Sequence, residues 1–397
     1  LGNHGNLRIG TPTGPFDGAP GIREAGIGFS ANDAGSLDAQ FAHLNAVFLA
    51  VASWITPWAM FVVPAVLMSA ALVMLYALGV RLGAPIGGAA GAVALAVSYP
   101  FVFVARDTYS EAVALLLLLS GLWALTFVRR GGLRVGAVAG ALLGATCMAR
   151  IDGYIPLMPI AGVLTLEFLL ARRRRNTARS TGYVAAYVGM VATAALGGFE
   201  VRAFSRVYFD LKLGPRLGAM IGAIVAASVV GLAVARFGFR AEAERVSPRG
   251  ALRWLVGVLA VAVVGFLGWA RYVRPDFDGL HQAMSSQVPT IGLLPWAKTL
   301  SYLWLTWYLG PLLVAAGFAG LVWMTSRGLF DRDRAFLATA GVGFATTILY
   351  LFTPSITPDQ PWAIRRFVAV SIPLLLLAAG MGLETLARKR PPWTALG

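Results

Sequence analysis

Residues 362–380 read WAIRRFVAVSIPLLLLAAG, in which the adjacent arginines Arg365 and Arg366 precede a long apolar run. Similar runs recur along the 397 residues, and each approaches the roughly 20 residues that a helix needs to cross a bilayer. Only 13% of the residues are charged and 58% are hydrophobic, whereas a soluble domain carries roughly 25% charged residues. The sequence therefore predicts an all-α polytopic membrane protein.

Eleven membrane-spanning helices are predicted, separated by short joints rich in arginine or in proline and glycine. Their approximate ranges are 58–80, 85–104, 108–128, 134–150, 153–171, 182–200, 217–237, 251–271, 299–325, 335–353 and 366–386. Because Leu1 is not a normal start residue, we expect a preceding span and about twelve spans in the intact protein. Residues 58–397 then form one transmembrane helical domain.

Residues 1–57 are predicted to form an extracytoplasmic loop that ends in a juxtamembrane helix. The stretch FAHLNAVFLAVASWI, residues 41–55, is too short to cross a bilayer and has the aromatic residues Trp54 and Trp58 at its end. These features favour a helix that lies in the outer interface. A different pattern, Gly136, Gly140 and Gly144 at helical spacing, predicts close packing between two spans.

The formal charge of +15 reflects membrane orientation rather than nucleic-acid binding, because the basic residues sit at the ends of apolar segments. Most of the 33 basic residues fall in alternate joints, such as RRGGLR at 129–134 and RRRRNTARS at 172–180. The positive-inside rule makes these joints cytoplasmic. The other joints, including residues 355–365, are then extracytoplasmic, and we predict a multi-pass protein of a bacterial plasma membrane.

The candidate site lies on the predicted outer side, where arginine is disfavoured. Its charged members are Arg106, Asp107, Glu111, Arg150, Asp152, Asp359, Arg365 and Arg366. Tyr109 lies among them in the sequence, and His43 lies beside the interfacial helix. Almost no ionisable residue is predicted at the middle of a span, where ion-coupled transporters place their charged sites. A site at one interface suits a substrate with a lipid tail in the bilayer and a polar head at its surface.

Each candidate also has a structural interpretation. Glu111 either favours a helix N-terminus or faces a polar cavity, because a carboxylate beside lipid would cost a few kcal/mol. Arg150 and Asp152 either form an ion pair in a tight turn or bind an anion. Arg365 and Arg366 either snorkel to the interface or bind a phosphate through their planar donor forks. A single histidine such as His43 is more often structural.

Three segments resemble the C-type glycosyltransferase (GT-C) superfamily, in particular bacterial relatives of protein O-mannosyltransferases and lipid A aminoarabinose transferases. DTYSEAVALLLLLSGLWAL resembles a segment in which an acidic residue, here Glu111, opens a span after an outer loop. GALLGATCMARIDGYIPLMP resembles one in which a basic residue, here Arg150, follows a Gly-rich helix. IRRFVAVSIPLLLLAAG resembles a late segment that matches Arg366, Phe367 and Pro373.

The resemblance implies a GT-C-like fold and an inverting transfer of a sugar from a polyprenyl-phosphate donor to an acceptor hydroxyl of an envelope glycan, lipid or protein. We predict catalytic roles for Glu111 and Asp107 and substrate-binding roles for the other candidates. Family members also use an acidic residue in the first outer loop, which the resemblance places upstream of Leu1. Asp17, Asp33 and Asp38 lie in the loop, but no motif assigns that role to them.

Other function classes stay open at this point. A lipid-linked substrate flippase or transporter would need internal repeats, which the sequence does not display, and a related but non-catalytic scaffold is a third class. There is no Walker loop, dinucleotide-binding glycine motif or metal-ligand spacing, so we predict no cofactor and leave a divalent metal open. The single cysteine, Cys147, excludes an intrachain disulfide in this sequence.

The charge distribution predicts the sidedness of the chain. In a Cys147→Ser background, Asn176→Cys should be labelled only after the membrane is permeabilised, because residues 172–180 are predicted to be cytoplasmic. A cysteine introduced at residues 355–365 should react with a membrane-impermeant maleimide added outside intact cells. Labelling of residue 176 from the outside would overturn the orientation.

Overall fold

The computed structural model describes residues 8–10, 29–31, 36–39, 42–237, 248–286, 296, 298–330, 333–354 and 362–389. Within these ranges the chain from residue 42 onward is a bundle of helices, which confirms the predicted helical membrane class. The N-terminal part contributes three short strands, β1 (Arg8–Gly10), β2 (Phe29–Ala31) and β3 (Ser36–Ala39). They pair antiparallel in the order β1–β3–β2.

The helices follow one another through short connections. In chain order they are α1 (Leu44–Ser53), α2 (Ala59–Arg81), α3 (Pro85–Ala96), α4 (Tyr99–Ala105), α5 (Glu111–Leu125), α6 (Val128–Ala149), α7 (Tyr154–Arg173), α8 (Thr177–Phe204), α9 (Gly214–Phe237), α10 (Pro248–Gly268), α11 (Phe277–Ser285), α12 (Ser301–Leu309), α13 (Pro311–Phe330), α14 (Arg334–Phe352), α15 (Trp362–Val368) and α16 (Ser371–Lys389). A 3-10 turn, Ile151–Gly153, precedes α7, and a tight turn at 206–213 connects α8 to α9.

Nine helices of the described part of the chain are long and apolar enough to cross a membrane: α2, α6, α7, α8, α9, α10, α13, α14 and α16. A tenth candidate is the pair α3 and α4, which are bent by 67° relative to each other. The central helices α7, α14 and α16 are largely buried, whereas α9 and α10 expose apolar side chains such as Val261 and Val264. These exposed faces are suited to contact with lipid.

Several predicted spans have different boundaries in the structure. The range 108–128 contains only the 15-residue helix α5, which is about 22 Å long at 1.5 Å per residue and is buried among other helices. The range 299–325 was wrong as a single span, because Gly310 adopts a positive φ of 79° and Pro311 begins a new helix. The range 366–386 was also wrong, because Arg365 and Arg366 belong to the separate short helix α15.

The predicted juxtamembrane segment forms helix α1. Its bounds, Leu44–Ser53, fall inside the predicted 41–55, and Trp54 and Trp58 beyond its end are exposed. The Asn45 side chain donates a hydrogen bond of 2.8 Å to the carbonyl oxygen of Thr108, in the turn before α5. This contact fixes α1 beside the ends of the spans that carry the candidate site.

The glycine face of α6 packs closely against α8, as the spacing predicts. A methyl group on Gly136 would overlap the carbonyl oxygen of Gly182, and one on Gly140 would overlap that of Ala186. The two backbones therefore approach each other at distances that only glycine permits. This packing fixes the end of α6, where Arg150 lies.

The close packing of α6 on α8 yields a stability prediction. Gly140→Ala should lower the melting temperature of the purified protein, because overpacking typically costs about 1–3 kcal/mol and outweighs the helix propensity of alanine. Gly257→Ala is the matched control, since nothing lies within 4 Å of the position that its methyl group would occupy. Equal melting temperatures for the two variants in a thermal-shift measurement would contradict the packing.

Candidate functional site

The predicted site residues that the structure describes meet at one end of the bundle. Glu111 begins α5, Arg150 follows α6, Asp152 lies in the turn before α7, and Arg365 and Arg366 lie on α15. The residues come from parts of the chain that are more than 200 positions apart, as the Arg366–Asp152 contact illustrates. Tertiary folding therefore assembles one polar cluster from three segments that the sequence analysis identified separately.

The turn between α6 and α7 positions Arg150 and Asp152. Arg150 adopts an extended conformation with φ −150° and ψ 142°, which ends α6. Gly153 then passes close to the preceding helix, where a Cβ atom would lie 2.5 Å from the carbonyl oxygen of Thr146. The sequence needs glycine at this approach. The extended Arg150 and the tight turn allow its guanidinium to meet the Asp152 carboxylate two residues later.

Asp152 is the acceptor that connects this turn to the two C-terminal segments. Its Oδ1 accepts a hydrogen bond of 2.7 Å from Arg150 Nε, and its Oδ2 accepts one of 2.8 Å from Arg150 Nη2. The same Oδ2 accepts bonds of 2.7 Å from the Tyr350 hydroxyl and from Arg366 Nη1. One carboxylate therefore links α7, α14 and α15.

Glu111 is the second carboxylate of the cluster and is only 1% exposed. Its Oε1 lies 2.5 Å from Arg150 Nη1 and 3.5 Å from Arg365 Nε. The carboxylate is therefore enclosed by protein and faces two guanidiniums. In this arrangement Glu111 holds Arg150 and Arg365 in place.

Tyr109 and Asp107 flank the cluster in the turn before α5. The Arg365 guanidinium lies 4.8 Å from the centre of the Tyr109 ring, within the range of a cation–π contact. Burial and the neighbouring Asp107 carboxylate raise the pKa of Tyr109 to about 12, so this phenol is neutral and protonated at physiological pH. Asp107 is half-buried and its Oδ1 accepts a bond from the backbone N–H of Thr108, whereas Arg106 is exposed.

A cavity of about 50 Å³ opens beside these charges, enough for one or two water-sized groups. It is lined by Ala42, Ser110, Ala149, Arg150, Ile151, Asp152, Tyr208, Arg365 and Arg366. The guanidiniums of Arg150, Arg365 and Arg366 line the cavity, whereas Asp152 supplies the one carboxylate among its described lining residues. The cavity therefore favours an anion.

Burial and neighbouring charges change the pKa of Arg365. Burial lowers the pKa of its guanidinium below the ordinary value, Glu111 partly opposes this effect, and Arg150 and Arg366 add to it. A bound anion would relieve both the desolvation and the repulsion between the arginines. The Nε of Arg366 is buried without a hydrogen-bond partner among the described residues, so a donor is left for such an anion.

His43 lies behind the cavity and joins α1 to the end of α8. Its Nδ1 is paired with the Glu200 carboxylate, and its Nε2 lies 3.3 Å from the Ser205 hydroxyl. His43 is 4% exposed and Ser205 is 2% exposed. These contacts support the structural interpretation of His43, because they hold α1 against α8 next to Ala42, which lines the cavity.

Sequence analysis missed Tyr350, Tyr208 and Glu200. No sequence pattern identifies Tyr350 or Tyr208 as site residues. Glu200 could have been identified as a candidate, since it is an isolated carboxylate near the end of an apolar run. Asp359, together with Asp17 and Asp33, lies outside the described residues. Asp38 lies in β3, where it pairs with Arg8 of β1 and Ser30 of β2 in the strand register.

The described residues contain no group of three or more His, Cys, Asp or Glu side chains arranged to hold a metal ion. The charged cluster instead contains the guanidinium groups of Arg150, Arg365 and Arg366, which repel cations. Its donor set fits an anion with several oxygen atoms.

The fold is similar to that of a solved glycan-transfer enzyme, although no family model and no curated protein matches the sequence. One similar structure is the crystal structure of the Archaeoglobus fulgidus oligosaccharyltransferase in the apo form, with a TM-score of 0.54 and 16% identity. The match covers 91% of this chain and 44% of that one. The likeness shows a similar fold, and this chain spans less than half the length of the archaeal protein.

The Asp152 contacts predict a large and specific loss of stability. Asp152→Asn should destabilise the protein by about 3–5 kcal/mol, because three buried or half-buried arginines would then share one carboxylate. Asp210→Asn is the control, since Asp210 is 63% exposed and pairs with Arg206 at 3.8 Å. Thermal unfolding in the same detergent measures both, and equal losses would argue against the cluster.

Proposed function

We propose that this chain belongs to an integral-membrane glycosyltransferase that moves a sugar from a polyprenyl-phosphate donor to an acceptor hydroxyl on the extracytoplasmic side. The observation that carries the proposal is the cluster of Arg150, Arg365 and Arg366 around a cavity at the ends of the spans. The three guanidiniums that line this cavity are suited to a phosphate leaving group. The GT-C-like fold supports the same class of reaction.

The position of the cavity agrees with a lipid-linked donor. Its lining residues come from the turns before α5 and α7 and from the short helix α15, which flank the candidate spans. A phosphate at this depth can stay joined to a polyprenyl chain that extends along the apolar outer faces of the bundle. The donor then presents its sugar toward water, where an acceptor hydroxyl can approach.

The reaction follows as a direct displacement at the anomeric carbon. The acceptor oxygen forms a bond to this carbon while the bond from the carbon to the phosphate oxygen breaks. The electron pair leaves with the polyprenyl phosphate, and the guanidiniums of Arg365 and Arg366 stabilise its growing negative charge. Attack from the side opposite the leaving group inverts the anomeric configuration.

The acceptor proton must pass to a base. Asp107 is the better placed of the two predicted carboxylates, because it is half-buried in the turn at the edge of the cluster. Glu111 is 1% exposed and is engaged by two arginines, so we assign it a positioning role. The resemblance also expects a carboxylate in the first outer loop, most of which lies outside the described residues.

Lysine substitution tests whether Arg365 and Arg366 bind phosphate. The double variant Arg365→Lys with Arg366→Lys keeps both charges but loses the planar donor fork. It should fold normally and bind polyprenyl phosphate more weakly by roughly 1–3 kcal/mol, which is the range for charge-assisted contacts. Binding is measured on the full chain in lipid nanodiscs.

The matched control is Arg81→Lys with Arg388→Lys. These arginines lie at the other ends of α2 and α16, where Arg81 Nε donates to Thr126 Oγ1 and Arg388 pairs with Glu384. The control variant should bind polyprenyl phosphate like the original chain. Unchanged affinity in a well-folded Arg365/Arg366 lysine variant would remove the phosphate site and leave anchoring of α15 as the role of the pair.

A further inference from the structure

A second buried ion cluster lies at the opposite end of the same helices. Glu167 of α7 is paired with Arg179 of α8, and its other oxygen lies 3.4 Å from Nε of Arg334 at the start of α14. Glu167 is 2%, Arg179 9% and Arg334 8% exposed. Glu167 therefore binds two guanidiniums in a buried setting, where charged groups must be paired.

Beside this cluster lies a cavity of about 50 Å³. Exposed Arg129 and Asp333 also line it, so arginines from the starts of three helices, α6, α8 and α14, reach this cavity. The Nε of Arg179 is buried and has no hydrogen-bond partner among the described residues. A buried donor of a charged group without an acceptor needs an explanation, and a bound oxyanion provides the missing acceptor.

An apolar groove of about 210 Å³ adjoins the polar cavity and shares Leu164 and Tyr183 with it. The groove runs between α7 and α8, past Phe168, Val184 and Tyr187. Val184 is 42% exposed, so the groove is open toward the lipid side of the bundle. Its shape and lining suit a hydrocarbon chain whose polar end reaches the arginines.

We propose that this second cavity and its groove bind one anionic phospholipid. Its phosphodiester contacts Arg129 and Arg179, and one acyl chain occupies the groove between α7 and α8. The inference is independent of the proposed glycosyl transfer, because the lipid site lies at the other end of the bundle.

The test uses the delipidated full chain in a neutral detergent and measures bound lipid by native mass spectrometry and stability by thermal shift. Phosphatidylglycerol should bind with one high-affinity molecule per chain and raise the melting temperature. Phosphatidylcholine with the same acyl chains and inorganic phosphate should not. An equal effect of phosphatidylcholine, or the full effect from phosphate alone, would overturn the proposal, as would the absence of any effect of phosphatidylglycerol.

Paired variants locate the lipid. Arg129→Gln removes a charge at the exposed mouth of the cavity, and Val184→Trp fills the groove, so each should weaken phosphatidylglycerol binding at least about tenfold. Arg173→Gln and Val191→Trp are matched controls, since both residues are exposed on the same helices without lining either space. Losses of equal size in the controls would show nonspecific adsorption and would overturn the assigned site.

Discussion

A charge buried between helices must be matched by an opposite charge or by hydrogen bonds, and this constraint organises the whole bundle. Asp152 accepts bonds from Arg150, Tyr350 and Arg366, and each partner comes from a different segment. Removing water from these groups without pairing them would cost several kcal/mol per ion. The ends of α6, α14 and α15 are therefore held together by one carboxylate, although apolar packing supplies most of the contact between the helices.

The same constraint divides the molecule into three levels along the helices. The described residues between the two polar ends are almost wholly apolar, with buried side chains such as Leu115, Leu157 and Phe318. The Asp152 cluster occupies one end, and the Glu167 cluster occupies the other. At each end, three guanidiniums line a small cavity, so each cavity favours an anion.

The sequence predicted the helical membrane class and the residues that cluster at one end, because both follow from local pattern. Charges at the ends of apolar runs identified Glu111, Arg150 and Arg366 without knowledge of their contacts. The partner Tyr350 could not be found in this way, since a tyrosine at the end of an apolar run is common and its contact with Asp152 spans 198 positions. The breaks at Gly310 and before Ser371 were also missed, because hydropathy averages over single residues that interrupt a helix.

The break between α15 and α16 places Arg365 and Arg366 on a short helix that is separate from α16. Helix α16 packs deeply through Leu374, Leu377 and Met381, whereas α15 holds Arg365 and Arg366 beside the cavity. Helix α15 also belongs to the core, because Ile364 and Phe367 on the same short helix are fully buried. A change in the group that the cavity recognises is therefore confined to Arg365 and Arg366, since the apolar positions beside them must keep their packing.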